Sequence, residues 1–214
     1  MRLRSVLAKL GGVTLLLIGT LMAGTSVGGG NTTCKGTPVT QPPGTNSDET
    51  IPGTSGDDVI QAGGGNDIVK ALGGSDKVCG AAGKDVLRGK GSTDELHGGA
   101  GNDHIRGGGD ADFANGGAGK DVIYGNGGSD TPAGGLWGGA GRDKIYGGPG
   151  GDRLMGFGGD DVLRGQGGFD DLQGSEGDDD LNGGGSGASN DGGPDTDHCV
   201  NPNSNNGAIN CETP

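Results

Sequence analysis

A nine-residue phrase recurs from Gly53 to Asn182, as in GNDHIR, GKDVIY and GRDKIY after GGA, and its register limits the chain to an array of identical small turns. Units start at residues 53, 62, 71, 80, 89, 98, 107, 116 and 125. After a four-residue insertion they resume at 138, 147, 156, 165 and 174. The sixth position is always aspartate: Asp58, Asp67, Asp76, Asp85, Asp94, Asp103, Asp112, Asp121, Asp130, Asp143, Asp152, Asp161, Asp170 and Asp179. Glycine abundance, 56 in 214 residues, does not by itself hold an aspartate in phase.

The eighth position is aliphatic, running Ile60, Val69, Val78, Leu87, Leu96, Ile105, Ala114, Ile123, then Ile145, Leu154, Leu163, Leu172 and Leu181. Together these columns resemble the hemolysin-type (RTX) calcium-binding nonapeptide G-G-x-G-x-D-x-U-x. The resemblance implies an all-β fold, a right-handed parallel β-roll or β-solenoid, with calcium as the bound ion.

The residues themselves support that expectation. Glycines at positions one, two and four permit positive φ and a tight turn. The next three residues suit a short strand whose middle side chain faces inward. Two units then complete one coil, and stacking at about 4.8 Å sets each turn beneath the turn two units later. Aspartates fall into two columns, Asp58, 76, 94, 112, 130, 152, 170 and Asp67, 85, 103, 121, 143, 161, 179. A hard dication relieves their repulsion, because calcium accepts about six to eight carboxylate and carbonyl oxygens in irregular geometry. Magnesium is more exacting, and zinc would lack its usual His and Cys ligands. A thin core and many glycines predict that calcium binding and folding are one event. The alternative is a Gly/Asp-rich disordered segment, which a net charge of −13 and a low apolar fraction also suit.

Departures mark weak points. Ala62, Ala71 and Leu72 replace early glycines, and Ser92 and Asp110 replace the fourth, so any such position needing positive φ is strained. Phe113 is expected outside the core. Around Pro132 the insertion is expected to loop out Thr131 to Gly134, keeping Asp130 as ligand and turning Leu136 inward, since proline would remove a ladder hydrogen bond.

The flanks read as entry and exit. Residues 1–26, with Arg2, Arg4 and Lys9 before an apolar run from Val13, fit a signal peptide; the run is short for a bilayer span. The expectation is a secreted chain without a membrane span once processed. Residues 27–52 read as an N-terminal cap, 53–182 as the β-roll and 183–214 as a C-terminal cap with a degenerate repeat; Asp195 and Asp197 are marginal ligands. Four cysteines in an exported chain suggest two disulfides, with three pairings possible. Cys34–Cys79 and Cys199–Cys211 are favoured.

On function, no segment is large enough for a catalytic domain and no HExxH helix occurs, so no enzyme is expected. The acidic charge disfavours nucleic acid. A calcium-dependent structural or interaction module is favoured, with a cell surface or polysaccharide as its partner. The resemblance also allows an accessory or fragment of a secreted protease, lipase or cytolysin. One outward column, Lys70, Arg88, Arg106, Tyr124, Tyr146 and Arg164, forms a cationic and aromatic stripe suited to an anionic or sugar polymer, with the tyrosines as stacking platforms. The alternative is that these long stems only cover a thin roll.

Overall fold

The computed structural model describes residues 33–131, 135–185, 187–200 and 210–212, and the expected signal peptide lies outside them. Among the described residues every regular element is a strand. Two parallel sheets of eight and nine strands face each other, and the chain alternates between them at each repeat to build a β-solenoid of about eight turns.

Register follows the sequence period. Ile68 lies beside Val86, Val86 beside His104 and His104 beside Val122, each eighteen residues on. Across the insertion the offset becomes twenty-two, pairing Ala114 with Leu136 and Val122 with Lys144. The added residues therefore change neither sheet's order. Leu136 is fully buried, as expected, and Thr131 is exposed; Pro132 to Gly134 lie outside the described residues.

The space between the sheets holds the eighth column. Ile60, Val69, Val78, Leu87, Leu96, Ile105, Ala114, Ile123, Leu136, Ile145, Leu154, Leu163, Leu172 and Leu181 form one core with Ala62 and Ala71. Strands are longer than the expected three residues. Val59–Gly64 and Lys77–Ala82, for example, stay paired through the third position of the following unit. Positive φ at position two bends the chain there, yet the ladder resumes, as where Leu72 lies beside Lys90.

Backbone angles correct the expected role of the first glycine. Positive φ occurs at positions two and four, including Leu72 (86°), Ser92 (73°) and Asp110 (70°), where a side chain carries strain. Position one is not left-handed, so Ala62 and Ala71 are free of that strain.

The array also extends past both expected boundaries. Thr50–Pro52 already belongs to the nine-stranded sheet, with Ile51 packed against the core. Ser189–Asp191 and His198–Val200 add a last strand to each sheet. What remains is short capping. The first edge of the eight-stranded sheet is covered by Thr40 and Gly44, whose N–H groups donate to the carbonyls of Val59 and Gln61 (2.9 and 2.8 Å). Covering this edge blocks pairing with other chains.

Both favoured disulfides are present. Cys34–Cys79 ties the small hairpin of Thr33–Cys34 and Thr37–Pro38 to the eight-stranded sheet. Cys199–Cys211 ties the C-terminal segment to the last strand, where His198 and Glu212 form a bridge. Phe113 lies outside the core, as expected. It is nonetheless buried, because the rings of His97 and Trp137 meet it edge-on at 5.4 and 4.9 Å.

Candidate calcium columns

The turn places each sixth-position aspartate inward, and all fourteen predicted residues are at most 4% exposed. Within a column each carboxylate reaches its neighbour. The Asp103 Oδ1 accepts the backbone N–H of Asp85, Asp121 Oδ1 accepts that of Asp103, and the bond recurs at 2.7–2.9 Å from Asp58 to Asp197. The two predicted columns therefore exist as continuous ladders. One runs through Asp58, 76, 94, 112, 130, 152 and 170. The other runs through Asp67, 85, 103, 121, 143, 161 and 179.

The second carboxylate oxygen is left over. Oδ2 of Asp67, Asp76, Asp85, Asp94, Asp103, Asp112, Asp121, Asp130, Asp143, Asp152, Asp161, Asp170 and Asp179 is buried without a hydrogen-bond partner. A buried unpaired acceptor ordinarily costs about 1–3 kcal/mol, and more when charged. From Asp85 to Asp179, and at Asp197, the Oδ2 lies beside position one of its own unit. From Gly80 onward, a Cβ on that glycine would overlap the Oδ2, as Gly98 would with Asp103 and Gly116 with Asp121. The first glycine is thus a matter of space beside an oxygen rather than of φ.

Two residues at the ends of the ladders differ in their surroundings. Asp58, at the start of its column, is satisfied by the cap and by Thr54 of its own unit. Thr40 and Gln41 donate to its Oδ1 (3.2 and 3.0 Å), and the N–H and hydroxyl of Thr54 donate to its Oδ2 (2.6 and 2.9 Å). Burial raises its pKa, but these four donors outweigh burial and hold it below the usual carboxylate value. Asp197, read as marginal from sequence, has the full pattern. Its Oδ1 accepts the Asp179 N–H at 2.9 Å and its Oδ2 is buried and unpartnered. The signal was the GGPDTD string at 192–197, which keeps the aspartate in phase once the unit at 183 is counted. That intervening unit has Ala188 at the sixth position and ends the other column.

Burial also dominates the electrostatics. It pushes Asp112 and Asp161 up to about 8, and Asp94, Asp103 and Asp130 up to about 7. Asp67, Asp143, Asp152 and Asp179 rise to about 6. In each, the accepted backbone N–H offsets part of the rise and neighbouring carboxylates add to it. Asp76, Asp85, Asp121, Asp170 and Asp197 shift upward for the same first reason.

Such an arrangement suits a hard cation. Among the described residues no three Asp, Glu, His or Cys side chains converge on one point, because each coil brings only one carboxylate per column. Calcium does not require three, since backbone carbonyls serve as ligands and the turns are almost all backbone. The orphaned Oδ2 atoms, with glycine beside them from Gly80 onward, fit calcium better than zinc, whose preferred sulfur and imidazole ligands the turns lack.

Comparison with known proteins agrees. No curated protein matches the chain. The family model described as RTX calcium-binding nonapeptide repeat (4 copies) matches residues 43–78, 80–114, 106–135, 136–154 and 155–186. Its first match begins before Gly53, where Thr50–Pro52 already joins the sheet. The chain belongs to the RTX calcium-binding nonapeptide repeat family, and its repeats are calcium-binding.

Proposed function

We propose that the protein is a secreted, calcium-dependent structural or interaction module whose coil forms when calcium neutralises the two aspartate columns. The observation that carries this reading is the line of buried, unpartnered Oδ2 atoms from Asp67 to Asp179 and at Asp197. These residues, with turn carbonyls, would hold the ions; Asp58 would contribute least, since four protein donors already engage it. Bound calcium supplies charge neutralisation and cross-links successive coils. Secretion suits two disulfides and calcium levels outside cells. No catalytic chemistry is assigned to the module.

A calcium titration followed by far-ultraviolet circular dichroism, with magnesium as control, tests the reading. The expected outcome is a cooperative rise in strand signal with calcium, reversed by chelator and not reproduced by magnesium. A strand signal already complete in chelator at neutral pH would refute the coupling.

A further inference from the structure

We propose that the outer face of the nine-stranded sheet binds an acidic polysaccharide along the column Lys70, Arg88, Arg106, Tyr124 and Tyr146. This names a partner surface for the interaction module and lies apart from the calcium columns, so either reading can fail alone.

Register makes the column continuous. Lys70 lies beside Arg88, Arg88 beside Arg106, Arg106 beside Tyr124 and Tyr124 beside Tyr146 on successive strands. Like charges directly opposite on neighbouring strands destabilise a sheet. Three other strand cations are relieved by the protein's own acids: Lys77 pairs with Glu95, Arg153 with Asp171 and Arg164 with Asp180. Among the described residues, Lys70, Arg88 and Arg106 have no carboxylate partner, although acids outnumber Lys and Arg by 28 to 15. The Arg88 Nε is buried with no hydrogen-bond acceptor. Three neighbouring unpaired cations on so acidic a chain complement an anionic ligand.

The surface is shaped as a track. Arg88, Lys90, Arg106 and Asn126 line one hollow, and Asn126 also borders the next, beside Tyr124 and Tyr146. A polymer lying across the strands would meet a new rung at each spacing of about 4.8 Å.

The tyrosines decide the class of polymer, and they correct the expected stacking platform. Tyr146 lies flat on Tyr124 (4.9 Å, 10°), while His104 meets Tyr124 edge-on and the Arg106 guanidinium sits 5.5 Å from its ring centre. With the ring faces turned to one another, Tyr124 offers no open platform between which nucleobases stack. A chain of net charge −13 also repels a densely phosphorylated backbone more than a sparsely charged glycan. Arginine forks for carboxylate or sulfate groups remain, and they suit an acidic sugar.

The test is isothermal titration of the calcium-loaded full chain with chondroitin sulfate, hyaluronan, neutral dextran and oligo(dT). The first two probes separate sulfate from carboxylate recognition. Binding of either acidic glycan, weakened by salt and absent for dextran, is expected. The double substitution Arg88→Gln/Arg106→Gln should lower affinity at least tenfold with an unchanged calcium-dependent dichroism signal. Arg153→Gln, on the opposite sheet, should leave it unaltered. No binding of either acidic glycan by the folded protein at low salt overturns the proposal, as does equal weakening by Arg153→Gln. Tighter binding of oligo(dT) than of both glycans overturns it in favour of nucleic acid.

Discussion

Protons should substitute for calcium in holding the coil together, and the structure fixes the direction and the scale. The perturbation is a pH series in chelator from about 3.5 to 8. Buried carboxyls in the folded coil titrate at about 6 to 8, against an ordinary aspartate value of 3.8. Because folding raises these values, the protonated carboxyls stabilise the coil; that contribution is full below about pH 4 and is lost as pH climbs through 6 to 8. Asp103 alone rises about three units, or on the order of 4 kcal/mol at about 1.4 kcal/mol per unit. A typical domain holds only about 5–15 kcal/mol in total, so ionising a few such groups suffices to unfold it. Far-ultraviolet dichroism in chelator should show strand signal at pH 4 to 5 that disappears by pH 8, while excess calcium should preserve the signal at pH 8. Calcium affinity should fall over the same window on acidification, since the ion binds the ionised form. Equal thermal midpoints at pH 5 and pH 8 in chelator would refute the reasoning.

Asp103→Asn keeps an acceptor for the Asp85 N–H but removes the charge; it should stabilise the chelated coil at pH 8 and lower the calcium stoichiometry measured by titration calorimetry. Ile105→Ala, in the middle of the core, should cost about 2–5 kcal/mol in calcium-loaded denaturant melts. Gly116→Ala places a Cβ 2.6 Å from the Gly138 carbonyl and across the Asp121 carboxylate, so it should weaken calcium binding locally and cost about 1–3 kcal/mol. Replacing Cys34 and Cys79 by serine opens a 45-residue loop, which should cost about 4 kcal/mol by chain entropy, read as a lower midpoint under non-reducing conditions.

Much of this molecule is legible in the sequence because each repeat solves the same local problem. The aspartate column, the inward aliphatic column and the resumption of the core at Leu136 depend only on period, and all three sit where the period puts them. The pairing of Cys34 with Cys79, favoured among three possible ones, is the one present. The ends were harder to read. Residues 44–52 carry Glu49 in place of aspartate, and the unit at 183 carries Ala188 and Asn190 at its sixth and eighth positions, so both look unlike repeats while their backbones still pair. Nor does sequence reveal why position one is glycine. From Gly80 onward a Cβ there would meet the orphaned oxygen and the carbonyl of the next coil, contacts that exist only after the coil closes. The donors around Asp58 are hidden for a similar reason, since Thr40 and Gln41 come from a segment with no repeat pattern.

The alternation of strands between two sheets imposes a parity rule on changes of length. Removing or duplicating eighteen residues would delete or add one full coil and return every later strand to its own sheet, with Arg beside Arg and aspartate above aspartate. Nine residues added ahead of Phe113, although a perfect repeat, would send each later strand to the opposite sheet, moving Tyr124 and Tyr146 beyond the reach of Arg106 and setting Asn115 beside it instead, with Trp137 on the next rung. The four-residue insertion is harmless by the same logic, since the strands on either side of it keep their sheets and it does not count as a step. Viable length variants of this protein should therefore differ by whole pairs of repeats or by loops, and a single extra repeat should scramble the surface while leaving the core intact.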